Sequence, residues 1–214
     1  MTKTRYPIFV TGYTIIFLGE MPMGVRAAAK SLRSIYQLKV TLKGIRPPIW
    51  RRFLIASTAS LADVHTILQI VIGWTDSHLH EFTKGRDRYG MPDEDFPEDI
   101  YDEAKYRLDQ VLKEEKEKLI YTYDFGDGWE HDVVLEKILP FEADAKLPLC
   151  LKGSRACPPE DIGGVPGYAM FLEAISDPKH PEHDSMLEWI ADDTGDTFDP
   201  ERFDLDEVNN LLQE

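Results

Sequence analysis

Cysteine is scarce. The chain has two in 214 residues, Cys150 and Cys157, which excludes a disulfide-rich scaffold. The six residues between them exceed the two-to-four-residue gap of a typical zinc knuckle. They either close a small loop in an oxidising compartment or stay as two thiols. No run of 18 apolar residues occurs, which excludes a bilayer-spanning helix. Basic residues are outnumbered 24 to 39, and the net charge of −15 argues against a dedicated nucleic-acid binder. Phosphate-binding signatures are missing too. Gly163-Gly164-Val165-Pro166-Gly167 lacks a following Lys-Ser/Thr, and Gly126-Asp127-Gly128 is a turn without the serine of a nucleophile elbow. There is no internal repeat and no low-complexity tract.

What is present suffices for a core. An apolar fraction of 43% with 11% aromatic residues excludes an intrinsically disordered chain. At this length roughly 70% of the unfolded surface can be buried, which suits one domain with at most a small appendage. The charge is unevenly spread. Residues 1–62 balance to +9, residues 63–156 to −10 and residues 157–214 to −14. The basic start, centred on Arg46, Arg51 and Arg52, is either a nucleic-acid patch or a surface that the acidic end neutralises. The second is favoured, because no further basic stretch follows.

Residues 1–34 combine a short cationic start, an apolar run over 8–18 and three alanines, but Glu20 and Arg26 fall between the last two. They are expected to be a poorly ordered N-terminal extension or a start-site artefact, and 35–214 the single domain. Within it, Tyr36, Leu38, Val40 and Leu42 alternate with polar residues, the pattern of a half-buried strand. Residues 49–55 make a second strand after Pro47-Pro48. Ser60 and Asp63 form a capping pair ahead of a helix over 61–72, with His65 on its flank and Gly73 at its end. Residues 78–83, 86–89, 119–123 and 130–138 are strands, 93–103 an acidic loop, 111–119 a solvated helix or turn, and 140–159 a loop. Helices over 167–176, 183–191 and 205–212 close the chain. The expected fold is α+β, an antiparallel-rich sheet of about five to six strands with helices on one side.

Polar clusters sit at the ends of these elements, where a rigid sheet presents binding groups. His78 and His80, one residue apart on a strand, would face the same side and could share a metal with His131. Asp124, Asp127, Trp129, Glu130, Glu160 and Asp161 are the ligand-binding candidates, with Trp129 as an apolar platform. Three histidines with a carboxylate suit zinc or another first-row divalent ion, so a divalent metal ion is the cofactor this set would hold. The plainer alternative is that Asp124 and Asp127 bond their own turn amides while Phe125 and Trp129 pack. Cys157, beside acids that raise a thiol pKa, is better suited to a structural role than to nucleophilic catalysis.

Four motifs carry a family resemblance. They are Ile45-Arg46-Pro47-Pro48-Ile49-Trp50-Arg51-Arg52, Gly73-Trp74-Thr75-Asp76-Ser77-His78-Leu79-His80-Glu81-Phe82, Tyr123-Asp124-Phe125-Gly126-Asp127-Gly128-Trp129-Glu130-His131, and Ala156-Cys157-Pro158-Pro159-Glu160-Asp161-Ile162-Gly163-Gly164. With His180-Pro181-Glu182-His183 and Phe198-Asp199-Pro200, they resemble the plasmid pRiA4b ORF-3-like family over about residues 35–212. The resemblance implies a single α+β domain found in bacteria and archaea, in some cases on mobile elements, and supplies no reaction and no catalytic residues. The leading expectation is a cytoplasmic binding or interaction module with a polar loop site for a ligand or protein partner. Nucleic acid is disfavoured by charge and a membrane by the lack of a span. The alternatives are a metal-dependent hydrolase using the His/Asp/Glu cluster, and a DNA-associated accessory protein of a mobile element in which Arg51 and Arg52 bind DNA.

Overall fold

The alternation after residue 34 is realised as β1 (Ser34–Leu42), whose residues Leu38, Val40 and Leu42 are buried while Gln37, Lys39 and Thr41 face outward. The computed structural model describes residues 34–92, 100–194 and 197–214, without the side chains of 192–194. The expected extension over 1–34 thus lies outside the described residues except for Ser34, which opens β1. A loop containing a cis Arg46-Pro47 bond returns the chain to β2 (Trp50–Ala56), antiparallel to β1.

Ser60 caps α1 (Leu61–Ile72) as the sequence predicts. Its hydroxyl accepts from Asp63 N–H at 3.0 Å, and its own N–H donates to the Asp63 carboxylate at 2.8 Å. Gly73 ends the helix at φ 104°, a left-handed conformation that glycine adopts without a Cβ penalty. The inner face of α1 joins Val64, Leu68 and Val71 to Leu38, Val40, Phe53 and Val133 of the sheet in one core. Each such aliphatic side chain contributes about 2 kcal/mol on burial.

The rest of the sheet follows as β3 (His80–Lys84), β4 (Asp87–Gly90), β5 (Tyr101–Asp102), β6 (Lys118–Tyr123), β7 (Trp129–Pro140) and β8 (Leu149–Ser154). A 3-10 turn (Glu103–Lys105) and the one-turn α2 (Leu108–Val111) connect β5 to β6. The spatial order is β5-β4-β3-β6-β7-β1-β2-β8, antiparallel except for the β4–β5 pair. Among the described residues the sheet therefore has eight strands, more than the five to six expected. The additional β5 is only two residues long, and β8 lies in a segment whose flanking prolines and Gly153 read as loop. Tertiary pairing with β2 overrides that weak local signal.

Three helices close the chain: α3 (Gly164–Ser176), α4 (His183–Thr194) and α5 (Leu205–Leu211). The Asn209 side chain on α5 accepts from Cys150 N–H at 2.8 Å and donates to Cys150 O at 3.0 Å, imitating a neighbouring strand at the sheet edge. No helix among the described residues is long and apolar enough to cross a membrane.

Candidate functional site

The ends of three elements meet beyond the C-terminus of α1. The loop after Gly73 is pinned to the 156–161 segment by Trp74, whose indole N–H donates to Pro158 O at 3.0 Å. Thr75 N–H donates to Glu160 Oε1 at 2.7 Å. Ser77 N–H donates to the Tyr123 hydroxyl at 2.9 Å, and that hydroxyl lies 3.2 Å from both Glu160 oxygens. Burial and, next, the Glu160 charge push the Tyr123 hydroxyl pKa up, so it remains a neutral donor to the carboxylate.

His78 enters this cluster from the bend before β3. Its Nε2 lies 3.3 Å from Glu160 Oε2 and 3.3 Å from Asp161 Oδ1, and its Nδ1 lies 3.9 Å from Asp124 Oδ1. Neither oxygen near Nε2 makes a hydrogen bond with it, and the atom is buried without a partner. Ligand atoms of His78, Asp124 and Asp161 all fall within 4.8 Å of one another. Asp124 and Asp161 hold left-handed backbone conformations, with φ 52° and 55°, and so does Asp76 at 57°. Each costs about 1 kcal/mol, and such strain gathers where side chains are held for a purpose. Asp124 Oδ1 also accepts from Gly126 N–H at 2.8 Å, the Asx-turn expected from the sequence.

A groove of about 780 Å³ opens beside the cluster. Trp74, Thr75, Ser77, Glu160 and Asp161 line one part of it, and the segment ending in α5 closes the other. Leu79 and Phe125, the neighbours of His78 and Asp124 in the chain, are 60% and 55% exposed. Both are exposed apolar side chains adjacent in sequence to residues of the charged cluster.

Not all of the predicted site residues come together. His80 turns into the core, because β3 begins at His80 and His78 lies in a bend outside the period-two register. Its ring stacks on His65 with centroids 3.4 Å apart and 3° between planes, and its Nε2 meets Glu103 at 2.9 Å. His65 Nδ1 pairs with the Tyr121 hydroxyl at 2.8 Å, and its Nε2 with Asp76 at 2.9 Å. His65, Asp76 and His80 also lie within 4.8 Å of one another. With parallel ring planes, however, no single ion can lie in the plane of both imidazoles. This cluster is therefore a hydrogen-bonded core network.

His131 is buried on the inner face of β7, with Nδ1 3.2 Å from Tyr121 O. Burial pushes its pKa down to about 4. The expected trio of His78, His80 and His131 is thus divided among three environments, because two of the rings fill core positions. Asp127 accepts from Gly163 N–H at 3.0 Å, which ties the hairpin to the start of α3. Trp129 is only 1% exposed and packs near Trp74, so it offers the groove no platform. Glu130 lies on the outer face of the sheet, paired with Lys43.

The roles of Thr75, Ser77 and Tyr123 went unread, although all three stand inside the quoted motifs. Alternation marks Tyr123 as a core residue, and only the fold shows that its hydroxyl reaches Glu160. Arg51 is buried, with its guanidinium donating to the carbonyls of Val71, Trp50 and Ser154. Arg52 pairs with Glu136. Neither is the free cation that DNA binding requires. Lys43 and Arg52 of the basic start pair with β7 rather than with the acidic C-terminal segment. Both cysteines are free thiols with pKa values pushed up by burial.

Comparison with known proteins agrees with this architecture. A protein of unknown function, MM3350 from Methanosarcina mazei Go1, has a crystal structure that matches with a TM-score of 0.74 at 38% identity, covering 83% of this chain and 98% of that one. The uncharacterized protein y4hQ of Sinorhizobium fredii is 39% identical over 159 residues, which are 74% of this chain and 81% of y4hQ. The family model for plasmid pRiA4b ORF-3-like proteins matches residues 34–207. On the strength of that match, which runs from the start of β1 into α5, the chain belongs to the plasmid pRiA4b ORF-3-like family.

Proposed function

We propose that this protein is a binding module whose recognition site is the cluster of His78, Asp124, Glu160 and Asp161 with the groove beside it. The observation that carries the reading is the convergence of one imidazole and three carboxylates from separate chain segments at the edge of a 780 Å³ groove. Three carboxylates within a few ångströms repel anions and attract positive charge. Leu79 and Phe125, adjacent in sequence to His78 and Asp124, add exposed apolar surface. The favoured ligand is therefore a small molecule or peptide that presents a cationic group to the cluster and an apolar part to these side chains.

The reading is tested by a thermal-shift screen of amines, polyamines and basic peptides against the wild-type protein and against Asp161→Asn and Glu160→Gln. A ligand that stabilises the wild type and loses its effect in both variants supports the site. A ligand whose effect survives both substitutions places recognition elsewhere.

Metal-dependent hydrolysis is a second reading, favoured by the metal-ligand spacing of His78, Asp124 and Asp161. It uses the same residues and adds water activated by an ion. Turnover of generic phosphate and carboxylate esters by manganese- or zinc-loaded protein separates it from simple binding. No turnover above that of the Asp161→Asn variant would leave binding as the function.

A further inference from the structure

The position of the two oxygens around His78 Nε2 narrows what the site holds. A hydrogen-bond acceptor sits close to the N–H axis, about 2.9 Å from the nitrogen. Glu160 Oε2 and Asp161 Oδ1 instead stand at 3.3 Å, and neither meets the angular requirement, so the nitrogen is buried and unpaired between them. Two ligand atoms about 2.1 Å from one ion, at angles between octahedral and tetrahedral, are separated by about 3.0–3.4 Å. The His78–Asp161 separation falls in that interval, and ligand atoms of His78, Asp124 and Asp161 all lie within 4.8 Å of one another. We propose that His78, Asp124 and Asp161 are ligands of a divalent transition-metal ion, with Glu160 beside them.

This rests on the assignment of the recognition site to this cluster and names what occupies its centre. The donor set favours the class of ion. One imidazole among carboxylates suits manganese or zinc, whereas magnesium and calcium prefer oxygen alone. The surroundings match those of metal ligands elsewhere, since Asp124 Oδ1 accepts from Gly126 N–H, while Glu160 is fixed beside the imidazole by Thr75 N–H on Oε1 and the Tyr123 hydroxyl on Oε2. Asp161 is 76% exposed, so the ion would have free coordination positions facing the groove.

The experiment is calorimetric titration of metal-stripped, untagged protein with Mn2+ and with Zn2+, for the wild type, Asp161→Asn, His78→Ala and the control Glu130→Gln. Asp161 is exposed and its replacement leaves the core intact, so that variant reports on the site even if His78→Ala folds poorly. The expected result is one ion per chain in the wild type and the control, an affinity at least tenfold weaker in Asp161→Asn and His78→Ala, and weaker binding of Mg2+. Absence of binding to the wild type, or less than a threefold change in Asp161→Asn, would overturn the proposal. Discovery of an organic ligand for metal-stripped protein, with no ion bound, would leave the recognition site standing and remove only the metal.

Discussion

His131 shows how one side chain can set acid stability. Its imidazole is neutral in the core, with a pKa lowered to about 4 by burial, against 6.5 when unfolded. As pH falls through 6.5 the unfolded state takes up a proton that the folded state refuses. The stability that this residue contributes is complete above that pH and is lost progressively down to about 4. The loss amounts to about 3 kcal/mol. Urea unfolding at several pH values should show a slope that His131→Leu reduces by one proton in this window, and an unchanged slope would contradict the assignment. Arg51 carries a larger share of stability than its neighbour. Arg51→Ala strands three carbonyl acceptors, one buried and two partly buried, and should cost about 3 kcal/mol, whereas Arg52→Ala should cost about 1 kcal/mol or less. Urea midpoints of the two variants measure the difference.

Among the elements, the positions that hold the site together are backbone contacts. Gly164 has φ 68°, and a Cβ there would stand 2.4 Å from Asp127 O, so the loop carrying Glu160 and Asp161 and the hairpin carrying Asp124 are joined by a contact that excludes a side chain. Gly164→Ala should destabilise the protein by about 2 kcal/mol or more, read from the urea midpoint. Asn209→Ala removes both bonds to the backbone of Cys150 and should cost about 1–2 kcal/mol. Local periodicity made β1, β2, α1 and the β6–β7 hairpin legible, because each pairs a strong alternation or helical stripe with a turn or cap that agrees with it. It left β8 unread, since a six-residue strand with Gly153 and neighbouring prolines owes its form to β2 and α5. The turn residues His78, Asp124, Glu160 and Asp161 were legible as polar groups at element ends. That His80 and His131 point into the core was not, because a bend before β3 moves His78 out of the register that would have aligned it with His80.

For the whole molecule, the −15 charge disfavours a polyanionic partner, and Lys43 and Arg52 pair with Glu130 and Glu136 of β7. Duplex DNA should therefore not shift in a native gel at low salt, and a salt-sensitive complex weakened by Arg52→Ala would contradict that. The chain instead concentrates negative potential where α1, the Asp124 hairpin and the 156–161 segment meet. The most direct test is an anomalous difference map from crystals of the protein grown with Mn2+. The account predicts a peak about 2.2 Å from a ring nitrogen of His78, bridging to Asp124 and Asp161. A map with no peak there, or with manganese bound only at other residues, would contradict it.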